Sequence, residues 1–565
     1  MFFYQIDEYL SDRGTIATIK DTEELPDKAF CGCPTLTKVI IHPGVKRIGK
    51  QAFMNCQKLE EIVLPDTINS IDSEAFKGCI KLKKIDIPNT INIINEEVFY
   101  GCTNLSDVEI PDSVEHIDNR AFAYCNSITS LYLPDSVIKL GIGVFSYCDE
   151  LCNVRLPKKL KLIETATFAE CKNLSSFEIP DGIFTIGYYA FHGCASIKEI
   201  NIPNSVNYIG WHAFENCYGL QSIDLSNTKI DCLEHNTFDH CQNMTSIILP
   251  DGIKKIGYDC FAYCKKLKEI KIPKVEEIDN MAFAWCFELE SIEMSGVKKI
   301  GSLAFVSCYQ LKQLILPASL RSIESNSFDH CKTLSCIKVD QNNKTYSSVD
   351  NCLLSKDKTI LFLGSNNSII PDSVVSINDY AFMGRVLLKQ IIIPKNVYNI
   401  GEAAFASCSN LESIILPNGL KTIKDGAFYE CKSLKEIDLP DEIEVIGSKE
   451  EWFRDHEYCP GTYGSSYCPG GVFEECTDLN TITLPNDIKI FDWYSFWECN
   501  NIENIAIKCR EPEKVNEKIK RIFSILSDHN NTKKTILTVP IGTGYAYRHD
   551  SFFTIFKGIN ANLDY

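Results

Sequence analysis

The stretch that decides the fold is AFHGCASIKEINIPNSVNYIG, Ala190 to Gly210. Ile197-Lys-Glu-Ile200-Asn-Ile202 alternates apolar and polar residues and stops at Pro203. That is a short strand closed by a residue with no N–H to give to a ladder. Pro203-Asn204 supplies turn chemistry, and Val206 and Ile209 then return the chain along a second face. Ala190-Phe-His-Gly-Cys194 is too short for a full helix and reads as a helical or 3-10 turn, with Phe191 and Cys194 inward. One such unit cannot bury its apolar face alone; neighbouring copies must cover it.

Those copies run along most of the chain. Phe and Cys three residues apart recur, usually every 23 residues, from Phe30/Cys33 through Phe53, Phe76, Phe99, Phe122, Phe145, Phe168, Phe191 and Phe214. After slips of one residue the series continues at Phe238, Phe261, Phe283, Phe305 and Phe328, then at Phe382, Phe405, Phe428, Phe473 and Phe496. These nineteen copies share the frame A-F-x-x-C-x-x-L-x-x-I-x-L-P-x-x-I-x-x-I-G. A fixed period of this length predicts a solenoid. The expected fold is a β-rich repeat stack of about 19 coils, with parallel strands and short helical or 3-10 turns, capped by a C-terminal helix and strand. The corresponding division is an N-terminal cap over 1–24, the solenoid over 25–507 and a C-terminal cap over 508–565.

This frame resembles the BspA-type leucine-rich-repeat family, whose 23-residue units read much the same way, over about residues 25 to 507. The closing Leu537-Thr-Val-Pro540-x-Gly542-x-x-x-x-Tyr547 resembles the carboxyl-terminal unit common in that family. The resemblance implies a leucine-rich-repeat solenoid of a kind found in bacteria and protists. Many members are surface-displayed and linked to adhesion or protein binding.

Hydrophobic content of 45% rules out a chain that stays disordered for want of a core. The net charge of −18 argues against nucleic acid, which needs clustered Lys and Arg. No run of about 18 apolar residues is present, so no membrane span is expected. The opening MFFYQIDEYLSDRGTI shows no basic, apolar and small-residue succession of a signal peptide, so a cytoplasmic location is expected. The alternative is a surface or secreted protein exported by a signal not visible in the chain.

Of 27 cysteines, 18 occupy the slot three residues after the phenylalanine, and only Arg385 breaks the series. A slot repeated once per coil suits a buried small hydrophobe better than a disulfide framework. Tetrahedral zinc needs four converging ligands, which a line of sulfurs does not provide. Catalytic motifs are absent: there is no P-loop, no G-x-S-x-G, and His456-Glu457 lacks the second histidine of a metalloprotease helix. His192, His212, His240 and His330 flank the Phe/Cys turn and are expected at the surface. No cofactor and no enzymatic activity are expected.

Two breaks interrupt the beat. Between Phe328 and Phe382 the spacing grows to 54, and residues 340–368 read as a hairpin-like insertion turning at Ser355-Lys-Asp-Lys358. Between Phe428 and Phe473 it is 45, and residues 448–471 form a loop rich in aromatics and Cys-Pro-Gly. Three readings stand for that loop. It is a structural connection, a partner-binding loop through Trp452, Phe453, Tyr458, Tyr463 and Tyr467, or a metal or redox site at His456, Cys459 and Cys468. A Cys459–Cys468 disulfide belongs to the same set.

Outward strand positions change character along the chain. They are polar or acidic at Lys84/Asp86 and Asp107/Glu109, but apolar at Ile248, Ile315, Ile392 and Ile415. Solenoids bind partners along such surfaces, although β-branched residues also favour strands for their own sake. The resulting reading is a non-enzymatic protein-binding or scaffolding module, with a surface adhesin or host-interaction protein as its alternative. The partner is a protein, and the oligomeric state is not encoded in the repeat.

Overall fold

The computed structural model describes residues 9–272, 274–447, 470–492, 494–520, 523 and 535–563. It is a β-solenoid of about 22 turns rather than 19. The difference lies in coils that lack the Phe/Cys pair. Ile16–Ile19 already stacks parallel on Lys38–Ile41, and Ile536–Pro540 and Gly558–Leu563 add further strands at the far end. The chain divides into two compact units, Met1–Phe287 and Glu288–Tyr565.

In the first unit each coil contributes a strand of about three residues and a second of two. The longer strands pair parallel in whole-repeat register, as in Ser130↔Asn153↔Ser176. The shorter ones do the same, as in Leu162↔Thr185↔Tyr208. At the amino end Leu10–Ser11 folds back antiparallel on Ile16–Ile19.

The Ala-Phe-x-x-Cys corner is a run of β-turns, not a helical turn. Ala52, Met54 and Cys56 N–H groups donate three residues back, to Gly49, Gln51 and Phe53 carbonyls at 3.1–3.2 Å. The alternate amides, Phe53 and Asn55, donate to Ala75 and Lys77 of the next coil at 2.8 and 2.7 Å. Helical φ values fail because the residues two before and two after the phenylalanine lie in the left-handed region, such as Gln51 (φ 57°) and Asn55 (φ 59°). The coil-to-coil bonds sustain that conformation in non-glycine residues. Three short 3-10 segments occur among the described residues, all near the chain ends.

Inside this corner the phenylalanines form an offset stack. Phe53 and Phe76 lie 5.4 Å apart at 5°, and Phe191 and Phe214 lie 5.3 Å apart at 8°. Each pair adds about 0.5–1.5 kcal/mol beyond burial. The cysteine beside it has a hydrogen-bonding role. The Sγ–H of Cys56 donates to the Phe30 carbonyl of the preceding coil at 3.0 Å, and Cys102 and Cys148 do likewise to Phe76 and Phe122 at 3.2 Å. Burial pushes the Cys102 and Cys148 thiols up to about 12.

The second unit repeats this plan around both breaks. Tyr346–Val349, Cys352–Ser355 and Ile360–Leu363 pair antiparallel in sequence. The first turn has Asp350 and Asn351 both left-handed, the geometry of a two-residue type I′ hairpin. Ile360–Leu363 then pairs parallel with Ser376–Ile377 and rejoins the short-strand row. Gly364 must lack a side chain, because a Cβ there would overlap the Phe382 ring.

Arg385 explains its own exception to the cysteine series. Its side chain is wholly buried, and Nη1 donates to the Phe328 carbonyl at 3.1 Å. That is the bond a cysteine makes elsewhere, here made across the inserted hairpin. Nε donates to the Gly364 carbonyl at 2.8 Å and Nη1 also to Met383 at 2.9 Å, tying the hairpin's exit to the corner. Residues 448–469 lie outside the described residues, yet the coils on either side stack directly. Val445 pairs with Ile490, Phe428 stacks on Phe473 at 5.3 Å and 2°, and Cys476 Sγ–H donates to the Phe428 carbonyl.

The carboxyl end is closed by side chains. Residues 517–520 are helical, with Val515, Ile519 and Phe523 buried. The short helix Gly544–His549 places Tyr547 in the core, where its hydroxyl donates to the Cys509 carbonyl at 2.7 Å.

Candidate functional surface

The strand positions chosen from the sequence do point outward. Ile248, Ile315, Ile392 and Ile415 are 55, 56, 65 and 60% exposed. They are not one row. Ile248 belongs to the first unit, where its partner in register is Asp224. In the second unit Ile315 sits opposite Lys338, whereas Ile392 and Ile415 are directly paired neighbours. Two exposed isoleucines side by side on adjacent parallel strands form a small apolar step in a polar surface.

Elsewhere the strand face is charged. In the first unit Lys84 lies 3.1 Å from Asp86 and 3.5 Å from Asp107, and these exposed pairs hold its ammonium pKa above the ordinary value. Arg155 lies over the Tyr132 ring at 4.7 Å and pairs with Asp135 at 2.9 Å. In the second unit Lys508 lies 3.7 and 3.6 Å from Asp438 and Asp441. Exposed pairs of this kind contribute little stability and serve chiefly to set surface charge.

The candidates in the second break, Trp452, Phe453, Tyr458, Tyr463, Tyr467, His456, Cys459 and Cys468, lie outside the described residues. Among the described residues, no cluster of three or more His, Cys, Asp or Glu is arranged to hold a metal ion. The described cysteines are all unbridged.

A second surface escapes a search of loops and strands. The left-handed slot two residues after the phenylalanine carries Tyr124, Tyr147, His240, Tyr263 and Trp285. Tyr124 stacks on Tyr147 at 4.5 Å, His240 on Tyr263 at 4.3 Å and Tyr263 on Trp285 at 4.5 Å. Two residues before the phenylalanine, Tyr189 stacks on His212 at 4.5 Å. The signal was present as a 22- to 23-residue recurrence of rings outside the core frame.

Histidines on this corner are not simply surface residues. His192 and His212 are half-buried, and each brings Nδ1 to 2.9 Å from Oε2 of Glu215, while His192 Nε2 lies 3.3 Å from Glu170. Burial works against the Glu215 carboxylate, but the bonds from His192 and His212 prevail and hold it down to about 2. Burial likewise opposes the charged form of His192, and the bonds and charges of Glu215 and Glu170 still raise its pKa. Asp259, by contrast, is pushed up to about 7, first by burial and then by the Asp239 charge. In the second unit burial drives His330 down to about 4, with Arg385 adding to the effect.

Among the described residues no helix is long and apolar enough to cross a membrane. No curated protein matches the chain. Among solved structures, a leucine-rich repeat protein of Bacteroides ovatus is 31% identical, covering 58% of this chain and 93% of its own, with a TM-score of 0.50. A leucine rich cell surface protein of Faecalibacterium prausnitzii is 20% identical over 87% of each chain, with a TM-score of 0.24. The pneumococcal vaccine antigen PcpA is 18% identical over 98% of this chain and 96% of its own, with a TM-score of 0.33. The BspA type leucine rich repeat region matches in six copies over residues 23–152, 115–234, 231–352, 363–454 and 465–534. With that match covering most of its length, and with the coil geometry described above, the chain belongs to the BspA-type leucine-rich-repeat family.

Proposed function

We propose that this chain is a non-enzymatic protein-binding or scaffolding module that engages a partner through its outward strand surface. The observation that carries the reading is the Ile392–Ile415 pair, paired in register on adjacent strands and exposed at 65 and 60%. Apolar side chains at the centre of a polar surface suit the core-and-rim organisation of protein interfaces. The ladder thiols do not suit catalysis, because burial keeps them protonated. Affinity capture with the full chain, compared with an Ile392→Lys/Ile415→Lys variant, tests the reading. Loss of the captured partner with retained folding supports it; identical capture by both proteins refutes the assigned surface.

The chain is read from its sequence as cytoplasmic, with surface display as the alternative. Surface labelling of intact cells separates this from surface display; a labelled chain supports the adhesin alternative. The metal or redox reading of residues 448–471 is tested by metal analysis of purified protein beside a Cys459→Ser control.

A further inference from the structure

The aromatic corner of the first unit contains a notch. Along the left-handed slot, rings stand at Tyr124 and Tyr147, then Glu170, Gly193 and Asn216 intervene, and rings resume at His240. Tyr147 is stacked on Tyr124 through one face, so its other face looks along the gap; His240, stacked on Tyr263, closes the far side. Four coil steps separate the two rings, about 19 Å at strand spacing.

The floor of the gap is acidic. Gly193, at φ 72°, gives the Glu170 carboxylate room, since a Cβ there would lie 2.7 Å from Oε1. Glu215 and Asp239 lie along the same floor, contacted by His192, His212 and His240. Tyr218 leans over it. Its hydroxyl donates to Asn216 Oδ1 at 2.9 Å, and its pKa is raised first by burial and then by the nearby charges of Glu170, Glu215 and Asp239. Tyr189 borders the floor edge-on to His192 at 5.6 Å. Lys172 lies 3.9 Å from Glu170 and 3.3 Å from Asp149. Four carboxylates, Asp149, Glu170, Glu215 and Asp239, stand there against Lys172 and Lys265, and His192 and His240 both have raised pKa values beside them.

Carboxylates bordered by ring faces match one kind of side chain better than others. A guanidinium is planar, stacks on an aromatic face, and offers paired N–H donors to a carboxylate. A lysine ammonium provides the charge without the plane. A sugar also stacks on rings and donates its hydroxyl protons to carboxylates, but it is neutral and leaves their charge uncompensated.

We propose that this notch binds arginine side chains of a basic protein segment lying across the coils, with a guanidinium stacked on Tyr147 and paired to Glu170. The inference rests on the reading of the chain as a protein-binding module but concerns a different surface in a different unit.

The test is anisotropy titration of the full chain with a labelled hexa-arginine peptide, with hexalysine alongside. Tyr147→Asn keeps a residue suited to the left-handed slot, which holds asparagine at Asn55 and Asn216. Glu170→Gln removes the charge, and Asp107→Asn on the strand face removes the same charge elsewhere. Hexa-arginine is expected to bind more tightly than hexalysine, and Tyr147→Asn and Glu170→Gln each to weaken it about tenfold. Asp107→Asn is expected to change it by less than about twofold. Circular dichroism establishes that each variant is folded.

Equal weakening by Asp107→Asn and Glu170→Gln overturns the proposal, because the peptide then reads only bulk charge. Absence of binding overturns it as well, and so does displacement of the peptide by chitohexaose, which would assign the notch to a sugar. Ile392→Lys/Ile415→Lys is expected to leave the peptide's affinity unchanged, so either surface can fail without the other.

Discussion

Replacing Arg385 by cysteine, the residue of every other coil, is expected to loosen the hairpin junction. A cysteine there can make at most the Phe328 bond, as its counterparts do, and leaves the guanidinium's bonds to Gly364 and Met383 unmade. The Phe328 and Met383 carbonyls keep backbone partners in Cys331 and His330, at 3.3 Å each. Loss of the Met383 bond therefore costs about 0.5–1.5 kcal/mol, whereas the Gly364 carbonyl loses its charged donor, at about 1–3 kcal/mol. Removing a buried cation returns part of this, since burial already lowers the Arg385 pKa. The balance is a loss of about 1–4 kcal/mol, which accelerates local opening by about fivefold to a thousandfold. Hydrogen exchange of the full chain reads this directly. Amides over 360–388 should speed up, including Gly364, which donates to Ala381 at 2.7 Å, and Phe382, which donates to Ala404. Peptides over 190–210 in the first unit act as the internal reference. Wild-type exchange over 360–388 in Arg385→Cys would refute the idea that the guanidinium's bonds tie the hairpin's exit to the corner.

Site-resolved thiol labelling of the native chain should modify Cys31 and Cys152 and leave Cys102 and Cys148 untouched until unfolding; native labelling of Cys102 would contradict the buried ladder. The His192–Glu215–His212 group should stabilise the first unit most between roughly pH 4.5 and 6.5. Below that window the depressed Glu215 pKa means its contribution is lost as pH falls toward about 2; above it, the contribution of His192 is lost as pH rises through its raised pKa. Glu215→Gln should flatten that profile and cost about 1–2 kcal/mol inside the window, measured by denaturant titration. For Asp259, whose carboxyl is pushed up to about 7, the sign is opposite: its contribution is full below the ordinary carboxylate pKa and is lost as pH rises toward about 7. Asp259→Asn should therefore raise stability by about 1–3 kcal/mol more at pH 8 than at about pH 4; equal stabilisation at both would rule out the titration as its origin.

The core was legible because its requirement repeats. Phe191 and Cys194 are buried for the same reason as their counterparts in other coils, and period alone exposes them. The corner's handedness was hidden because its left-handed slots accept Gln51, Asn55, Tyr147, Glu170 and Trp285 alike. No composition marks a conformation imposed by bonds between coils. Arg385 was visible as an exception, but its meaning depends on carbonyls at Phe328 and Gly364 that only the folded hairpin brings together. The aromatic notch was missed for another reason: its rings fall in the variable positions of the repeat frame, which the period alone leaves unassigned. Exposed Ile392 and Ile415 followed from strand alternation, whereas their direct pairing required register.

The coils flanking residues 448–469 carry one more consequence. Because Val445 meets Ile490 and Phe428 meets Phe473 as if they were consecutive repeats, chain length there is uncoupled from coil geometry. The junction between Ile446 and Val472 is thus a grafting port, where a foreign segment can be spliced in or the existing one exchanged while the ladder on either side keeps its phase.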